Sequence, residues 1–281
     1  MTQKLCLRLV VLAFVALAFP WSVHGQAAQP SDAEVYSNYR QWVSGKATTA
    51  SRTEATAQQP EVLAAYRKAL MDQGVPAAEA DRRVRVIREN ARRLEIDMWN
   101  RMLTSPTPTF NVQPNALLVS SIKGVRPGTA LDYGMGQGRN AIYLAQQGWT
   151  VTGFDPAEQA VAAAQEQAHK LGVKLTTMAV GDDQFKFGKD QWDLIVLSYV
   201  GFRATMPRIY ESLKPGGLVV VEAYHRDSLK NSAIGAGVVF DTNELLKLFD
   251  RFRVLQYEDV QDKGDFGKAG NRLVRLVAQK P

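Results

Sequence analysis

Apolar and polar positions change their period partway along the chain, and the change divides it. From Thr129 onward, apolar runs rich in β-branched residues recur at strand length: 129–133 (TALDY), 149–154 (WTVTGF), 175–180 (LTTMAV), 192–198 (WDLIVLS) and 217–224 (GLVVVEAY). Helical stretches stand between them, at Arg139–Gln147, Pro156–Leu171 and Arg203–Leu213. This alternation predicts a parallel sheet covered by helices on both faces. A helix at 241–249 follows, then strands at 252–260 and 271–280 joined by a loop rich in Gly, Asp and Lys. Strands joined so directly pair most simply as an antiparallel hairpin.

Upstream of Thr129 the period is helical. Pro60 opens a helix running from Glu61 to Gln73, and Gly74 stops it. Pro76 opens a second, reaching Leu103, whose apolar positions Ala80, Val84, Ile87, Ala91, Leu94, Met98 and Met102 form one stripe. Acids precede bases by four residues on its polar face: Glu79 and Arg83, Asp81 and Arg85, Glu89 and Arg93, Asp97 and Arg101. The stripe is expected to pack this helical arm, 61–110, onto an α/β domain at 111–281. Residues 28–60 read as a flexible lead, because 44–60 is built of Ser, Thr, Ala and Gln with few large apolar groups. At the start, Lys4 and Arg8 precede an unbroken apolar run, Leu9–Phe19, that Pro20 breaks; small residues follow to Ala27. That is the pattern of a signal peptide over 1–27, and the run is too short to span a bilayer. The expected location is therefore periplasmic or secreted, with no membrane span after cleavage, and cytoplasmic if the signal is not used.

Composition narrows the chemistry. Of 281 residues, 46% are hydrophobic and 22% charged, as in folded globular proteins. The net charge of +6 is small and forms no block, so a nucleic-acid partner lacks its electrostatic footprint. Cys6, the single cysteine, lies in the expected signal segment, and there are only three histidines, His24, His169 and His225. Disulfides, a cysteine nucleophile and a zinc–thiolate site are thus excluded from the mature chain, and no metal site is expected.

The strongest chemical signal follows the first strand, in Asp132-Tyr133-Gly134-Met135-Gly136-Gln137-Gly138. Alternate glycines let a backbone turn tightly and approach a ligand, and the helix after them aims its N-terminus there. The spacing G-x-G-x-G is not the dinucleotide fingerprint G-x-G-x-x-G, nor is it a phosphate loop. Asp132 stands where it can meet an ammonium group. Asp155, closing the second strand, can accept from ribose hydroxyls, and Asp182 and Asp183, after the third, can reach an adenine amino group. Acids at three successive strand ends, in this order, fit S-adenosylmethionine better than a dinucleotide.

At these residues the chain resembles class I S-adenosylmethionine-dependent methyltransferases. The stretch ALDYGMGQGRNAIYLAQQGWTVTGFDPAEQAV looks like their first two motifs, and ESLKPGGLVVVEAYH like a later one. Gly138-Arg139-Asn140, Trp99 and Pro114-Asn115 are similar to the tellurite-resistance and thiopurine methyltransferase-like branch. The resemblance covers about 96–281. It implies a Rossmann-like, seven-stranded α/β sheet whose last strand is antiparallel. It also implies cofactor contacts at Asp132, Gly134, Gly136, Gly138, Asp155, Asp182 and Asp183. Met135 departs from the pattern, where a cysteine or small residue is common.

Catalytic residues are less marked. Methyl transfer from a sulfonium is an in-line displacement in which positioning and desolvation can suffice. Strand ends point to Tyr133, Tyr199, Tyr224 and His225. Of these, His225 and Tyr199 are the candidates for catalysis, with loop capping the competing role for His225. Trp99 and Phe110 either close over the cofactor or pack the arm. Asp241 with Glu244 reads as a capping pair. The expectation is methyl transfer to a small molecule. An exported binding protein with the same fold remains open, as does, more remotely, a nicotinamide oxidoreductase.

Overall fold

The computed structural model describes residues 29–46, 60–231, 238–266 and 270–281; the expected signal segment lies outside them. The elements run α1 (Asp32–Lys46), α2 (Pro60–Asp72), α3 (Ala77–Leu103), α4 (Ala116–Ser121), β1 (Thr129–Tyr133), α5 (Arg139–Gln146), β2 (Thr150–Phe154), α6 (Glu158–Lys170), β3 (Leu175–Met178) and β4 (Trp192–Ser198), then α7 (Met206–Ser212), β5 (Leu213–His225), β6 (Val239–Phe240), α8 (Glu244–Leu248), β7 (Arg253–Asp262) and β8 (Asn271–Gln279).

The strands form one sheet in the order β3-β2-β1-β4-β5-β8-β7, with β6 paired to β5 beside it. Pairing is parallel from β3 through β5, and β8 runs antiparallel to both β5 and β7. The Rossmann-like α/β architecture is as expected. The two-residue β6 makes the sheet eight-stranded rather than seven-stranded, because a pairing of two residues leaves no apolar period to read.

Alternation along each strand feeds two cores. In β4, Ile195 and Leu197 join Phe154, Phe202 and Phe249 on one face. Leu194 and Val196 join Leu118, Leu144 and Val220 on the other. All four of these β4 side chains are fully buried, each stabilising the fold by roughly 1.5–3 kcal/mol relative to exposure.

The N-terminal region differs from expectation in two ways. Part of the presumed flexible lead is helix α1. Ser31 and Glu34 cap it reciprocally, Ser31 N–H donating to Glu34 Oε2 at 2.8 Å and Glu34 N–H to Ser31 Oγ at 3.3 Å. The apolar stripe of α3 is also covered differently. Ala80, Val84, Ile87, Ala91 and Leu94 pack with Val35, Tyr36 and Tyr39 of α1 and Leu63, Tyr66 and Leu70 of α2. They do not pack on the α/β domain. The apolar contact of α3 with that domain comes at its last turns, where Trp99, Met102 and Leu103 meet Phe110, Ala157 and Ala160. On the polar face, Glu79 takes both Arg82 and Arg83, while Asp81 turns to Arg67 of α2 and Asp97 to Arg93. Among the described residues, no helix is long and apolar enough to cross a membrane.

Candidate functional site at the strand ends

The chain reverses its direction of travel through the sheet between β1 and β4, and open α/β sheets bind ligands outside the carboxyl ends of strands at such a point. Here β1 ends in Asp132 and Tyr133 and enters the glycine turn. Gly134, Gly136 and Gly138 all have positive φ, at 67°, 53° and 79°. At Gly138 a side chain is excluded twice over: the conformation is left-handed, and a Cβ would stand 2.8 Å from that of Ala164. That contact lets α5 start directly at the turn and lie close against α6.

The two acids on either side of the turn are buried. Asp132 is 2% exposed and accepts from Ala141 N–H, inside the first turn of α5, at 3.0 Å. Burial pushes its carboxyl up to about 7, against the opposing effects of Arg139 and that hydrogen bond. Asp155 is 8% exposed. Its Oδ2 accepts from Gly136 N–H at 3.0 Å and its Oδ1 from Ala157 N–H at 2.8 Å, tying the end of β2 to the glycine turn. Burial raises its pKa as well.

The remaining expected cofactor residues divide. Asp182 Oδ2 lies 3.0 Å from the hydroxyl of Tyr133, so it stands beside the end of β1. Asp183 is exposed and turns the other way, to Arg92 of α3 at 3.0 Å, whose hydrogen bond holds its carboxyl below the usual range. A cleft of about 470 Å³ opens beside that pair, lined by Glu89, Arg92, Arg93, Ile96, Asp97 and Glu158. Asn100 of α3 donates to Glu158 Oε1 at 2.9 Å and accepts from Gln159 N–H at 3.0 Å, which caps α6.

The candidate catalytic residues are deeply engaged. Tyr199, just past β4, holds a positive φ of 59°, a strained backbone for an aromatic residue. Its hydroxyl donates to Glu222 Oε1 at 2.5 Å and accepts from Asp265 N–H at 3.0 Å. Burial raises its pKa well above the ordinary value. His225 is 4% exposed at the end of β5. Its Nδ1 accepts from Asp227 N–H at 3.1 Å and its Nε2 lies 3.0 Å from Thr242 Oγ1. Both ring nitrogens therefore secure loops, the capping role. Glu244 Oε2 accepts from Asp241 N–H at 2.8 Å, but α8 begins at Glu244 behind Asn243 with no side-chain cap, and the Asp241 carboxylate turns to Arg226, so the pair ties the preceding turn and does not cap the helix.

A buried polar network joins these strand ends, and its hub was not legible in the sequence. Asp265, in the loop between β7 and β8, takes Arg139 at 2.7 Å, Asn111 at 2.8 Å and Asn115 at 3.2 Å. Asn115 caps α4 and also donates to Glu222 Oε1 at 2.7 Å, and Arg275 donates to Glu222 Oε2 at 2.6 Å. Asp265 is 126 residues from Arg139, beyond the reach of any local pattern. The Gly138-Arg139-Asn140 and Pro114-Asn115 motifs were the available signals for the rest.

These residues fit S-adenosylmethionine. Asp132 is a buried acid whose ionisation is disfavoured until a cation arrives, and the ligand carries an ammonium group. Asp155 keeps lone pairs beyond the two it has used, and a carboxylate accepts about four hydrogen bonds. The positive-φ turn between them supplies a close backbone. Among the described residues no group of three or more His, Cys, Asp or Glu is placed to hold a metal ion.

The family described as tellurite resistance protein TehB matches residues 109–278. Over 167 residues the chain is 29% identical to a Haemophilus influenzae protein named as a probable S-adenosyl-L-methionine-dependent methyltransferase, TehB. That match covers 56% of this chain and 57% of the relative, so the chain spans little more than half its length. A putative methyltransferase of Geobacillus is 30% identical over 123 residues, 41% of this chain and 49% of that one. The N-methyltransferase NodS of Bradyrhizobium japonicum, crystallised with S-adenosyl-L-homocysteine, shares the fold at a TM-score of 0.53. It is 16% identical, over 66% of this chain and 98% of that one. The family match takes in the whole sheet, the glycine turn and both buried acids, and the chain belongs to the TehB family.

Proposed function

We propose that this protein transfers a methyl group from S-adenosyl-L-methionine to a small-molecule acceptor. The carrying observation is the pair of buried carboxylates, Asp132 and Asp155, at the ends of adjacent parallel strands on either side of a positive-φ glycine turn. Asp132 would hold the amino group, Asp155 the ribose hydroxyls, and Asp182 the adenine side. Bound there, S-adenosyl-L-methionine supplies an electrophilic methyl group on a sulfonium. The chain's own work is then to bind, orient and exclude water, and the apolar cluster beside the turn serves that last purpose. The small, unclustered net charge supports a small acceptor over a nucleic acid.

Neither Tyr199 nor His225 has to act as a base for this reading to hold. His225→Ala is expected to lower the melting temperature, since it frees two loops. It should keep cofactor affinity and lose less than the roughly 10²–10⁴-fold that removing a general base costs. The test is transfer of labelled methyl from S-adenosyl-L-methionine to a panel of small thiols, phenols and oxyanions. A loss of cofactor binding in His225→Ala would show that the residue belongs to the binding site instead. We also propose export, on the Lys4/Arg8 and Leu9–Phe19 pattern. Mass spectrometry of protein from its native cell envelope should find residues 1–27 absent; intact Met1 on cytosolic protein would contradict it.

A further inference from the structure

Leu103 stands against Gly136 of the glycine turn and belongs to a cluster with Phe110 and Trp99 that Phe266 reaches from the loop between β7 and β8. Its ring stacks on Phe110, with centroids 5.2 Å apart and planes at 21°. It meets Trp99 of α3 edge-on at 6.2 Å and Tyr199 at 5.4 Å. The Arg139 guanidinium lies 6.0 Å from its centroid. Phe266 thus touches both the end of the arm and the end of β4, on either side of the turn. The cluster continues through Leu103 to Ala157 and Ala160, beyond Asp155.

The backbone that delivers this ring is held from three sides. Gly264 passes so close to Tyr224 that a Cβ there would stand 2.5 Å from Cε1 of that ring. Phe266 N–H donates to the Tyr224 hydroxyl at 3.0 Å. Asp265 between them is fixed by the Arg139 pair, whose side chains are 9% and 10% exposed, and by Asn111 N–H, which donates to its carbonyl at 2.8 Å. The side chain of Phe266 carries no hydrogen bond of its own. Its contribution is bulk, placed against Tyr199 at the switch point of the sheet.

We propose that Phe266 sets the size of the methyl acceptor. This rests on the methyl-transfer reading of the site. The ring takes the space between Phe110, Trp99 and Tyr199 that a second ring would need, which favours an acceptor no larger than a small thiol or oxyanion. With a thiol, the sulfur bonds to the methyl carbon as the sulfonium bond breaks, and the thiol proton leaves to water. Removing the ring opens a hole of phenyl size bounded by Phe110, Trp99 and Tyr199. An apolar hole of that kind takes an aromatic guest, held by offset or edge contacts.

The experiment uses the full chain as wild type, Phe266→Ala and Phe266→Leu, with thiophenol as the probe. Calorimetric titrations are run on the protein alone and with excess S-adenosyl-L-homocysteine. Thiophenol is expected to bind the Ala variant at least about 10-fold more tightly than wild type, the scale on which pockets discriminate size. The Leu variant should fall between. The ratio of kcat/KM for thiophenol to that for 2-mercaptoethanol should rise in the same order. Equal thiophenol affinity in all three proteins, with an unchanged ratio, would overturn the proposal. If the Ala variant does not fold, the Leu variant, which keeps most of the apolar bulk, decides in the same direction. Failure of wild type to bind S-adenosyl-L-homocysteine would refute the methyl-transfer reading instead. The thiophenol titration of the protein alone would still show whether Phe266 fills a ring-sized site.

Discussion

Asp132 links sequence, electrostatics and binding at a single carboxyl. Buried at the end of β1, it titrates at about 7 rather than 3.8. The folded protein therefore holds an extra proton between those values, and Asp132 costs stability progressively as pH rises through that window. Asp132→Asn should remove that slope from a series of denaturant titrations between pH 4 and 7. Binding runs the other way, because pairing with an ammonium group requires the ionised form. Affinity for S-adenosyl-L-methionine should fall about tenfold for each pH unit below about 7 in wild type and stay flat in the Asn variant. An identical pH profile in the two proteins would remove Asp132 from the site. Asp155→Ala should weaken cofactor binding by about 1.5–3 kcal/mol, the scale of a hydrogen bond to a charged group. Both acids were legible in the sequence because each closes a strand beside the glycine turn. Asp183 was legible as an acid but not as the partner of Arg92, since that contact spans 91 residues. His225 was legible as a strand-end residue, while its two loop contacts depend on tertiary closure.

Among the elements, the strands and the helices between them carried their own signal, because period-2 alternation and β-branched runs are local. Helix α1 did not. Its apolar residues Val35, Tyr36 and Tyr39 sit among Ser, Asn, Arg and Gln, and only the Ser31–Glu34 capping box marks its start. The stripe of α3 is covered by α1 and α2 together, and without α1 the sheet domain is the larger apolar surface on offer. Leu94 is 5% exposed in the core that α1, α2 and α3 share. Leu94→Ala should destabilise that three-helix unit by about 2–5 kcal/mol, read from a thermal melt followed by the fluorescence of Trp42. A melt unchanged from wild type would mean that the stripe is not buried. The loop between β7 and β8 was legible only as a Gly-rich connection. Gly264→Ala should cost about 1–3 kcal/mol, the scale of overpacking. By displacing Asp265 from Arg139, it should also loosen the cluster beside the glycine turn. The check is the backbone hydrogen exchange of Phe266, which ought to speed up.

For the molecule as a whole, the α/β architecture followed from the sequence because its strands alternate with helices and because the final hairpin is contiguous. The polar network did not follow, since Asn115, Arg139, Glu222, Asp265 and Arg275 come from five separate places and meet only when the sheet has formed. At its switch point the fold brings together two buried acids and a glycine turn of positive φ, with Leu103 of the arm against Gly136 and Val200 against Gly134. That arrangement separates a sulfonium cofactor from a dinucleotide, and one measurement tests it most directly. Calorimetric titration of the purified chain with S-adenosyl-L-methionine, S-adenosyl-L-homocysteine and NAD should give saturable one-to-one binding of the first two. The Asp155→Ala variant should weaken that binding, and NAD should give no saturable heat. Tight binding of NAD with none of S-adenosyl-L-methionine would contradict the account.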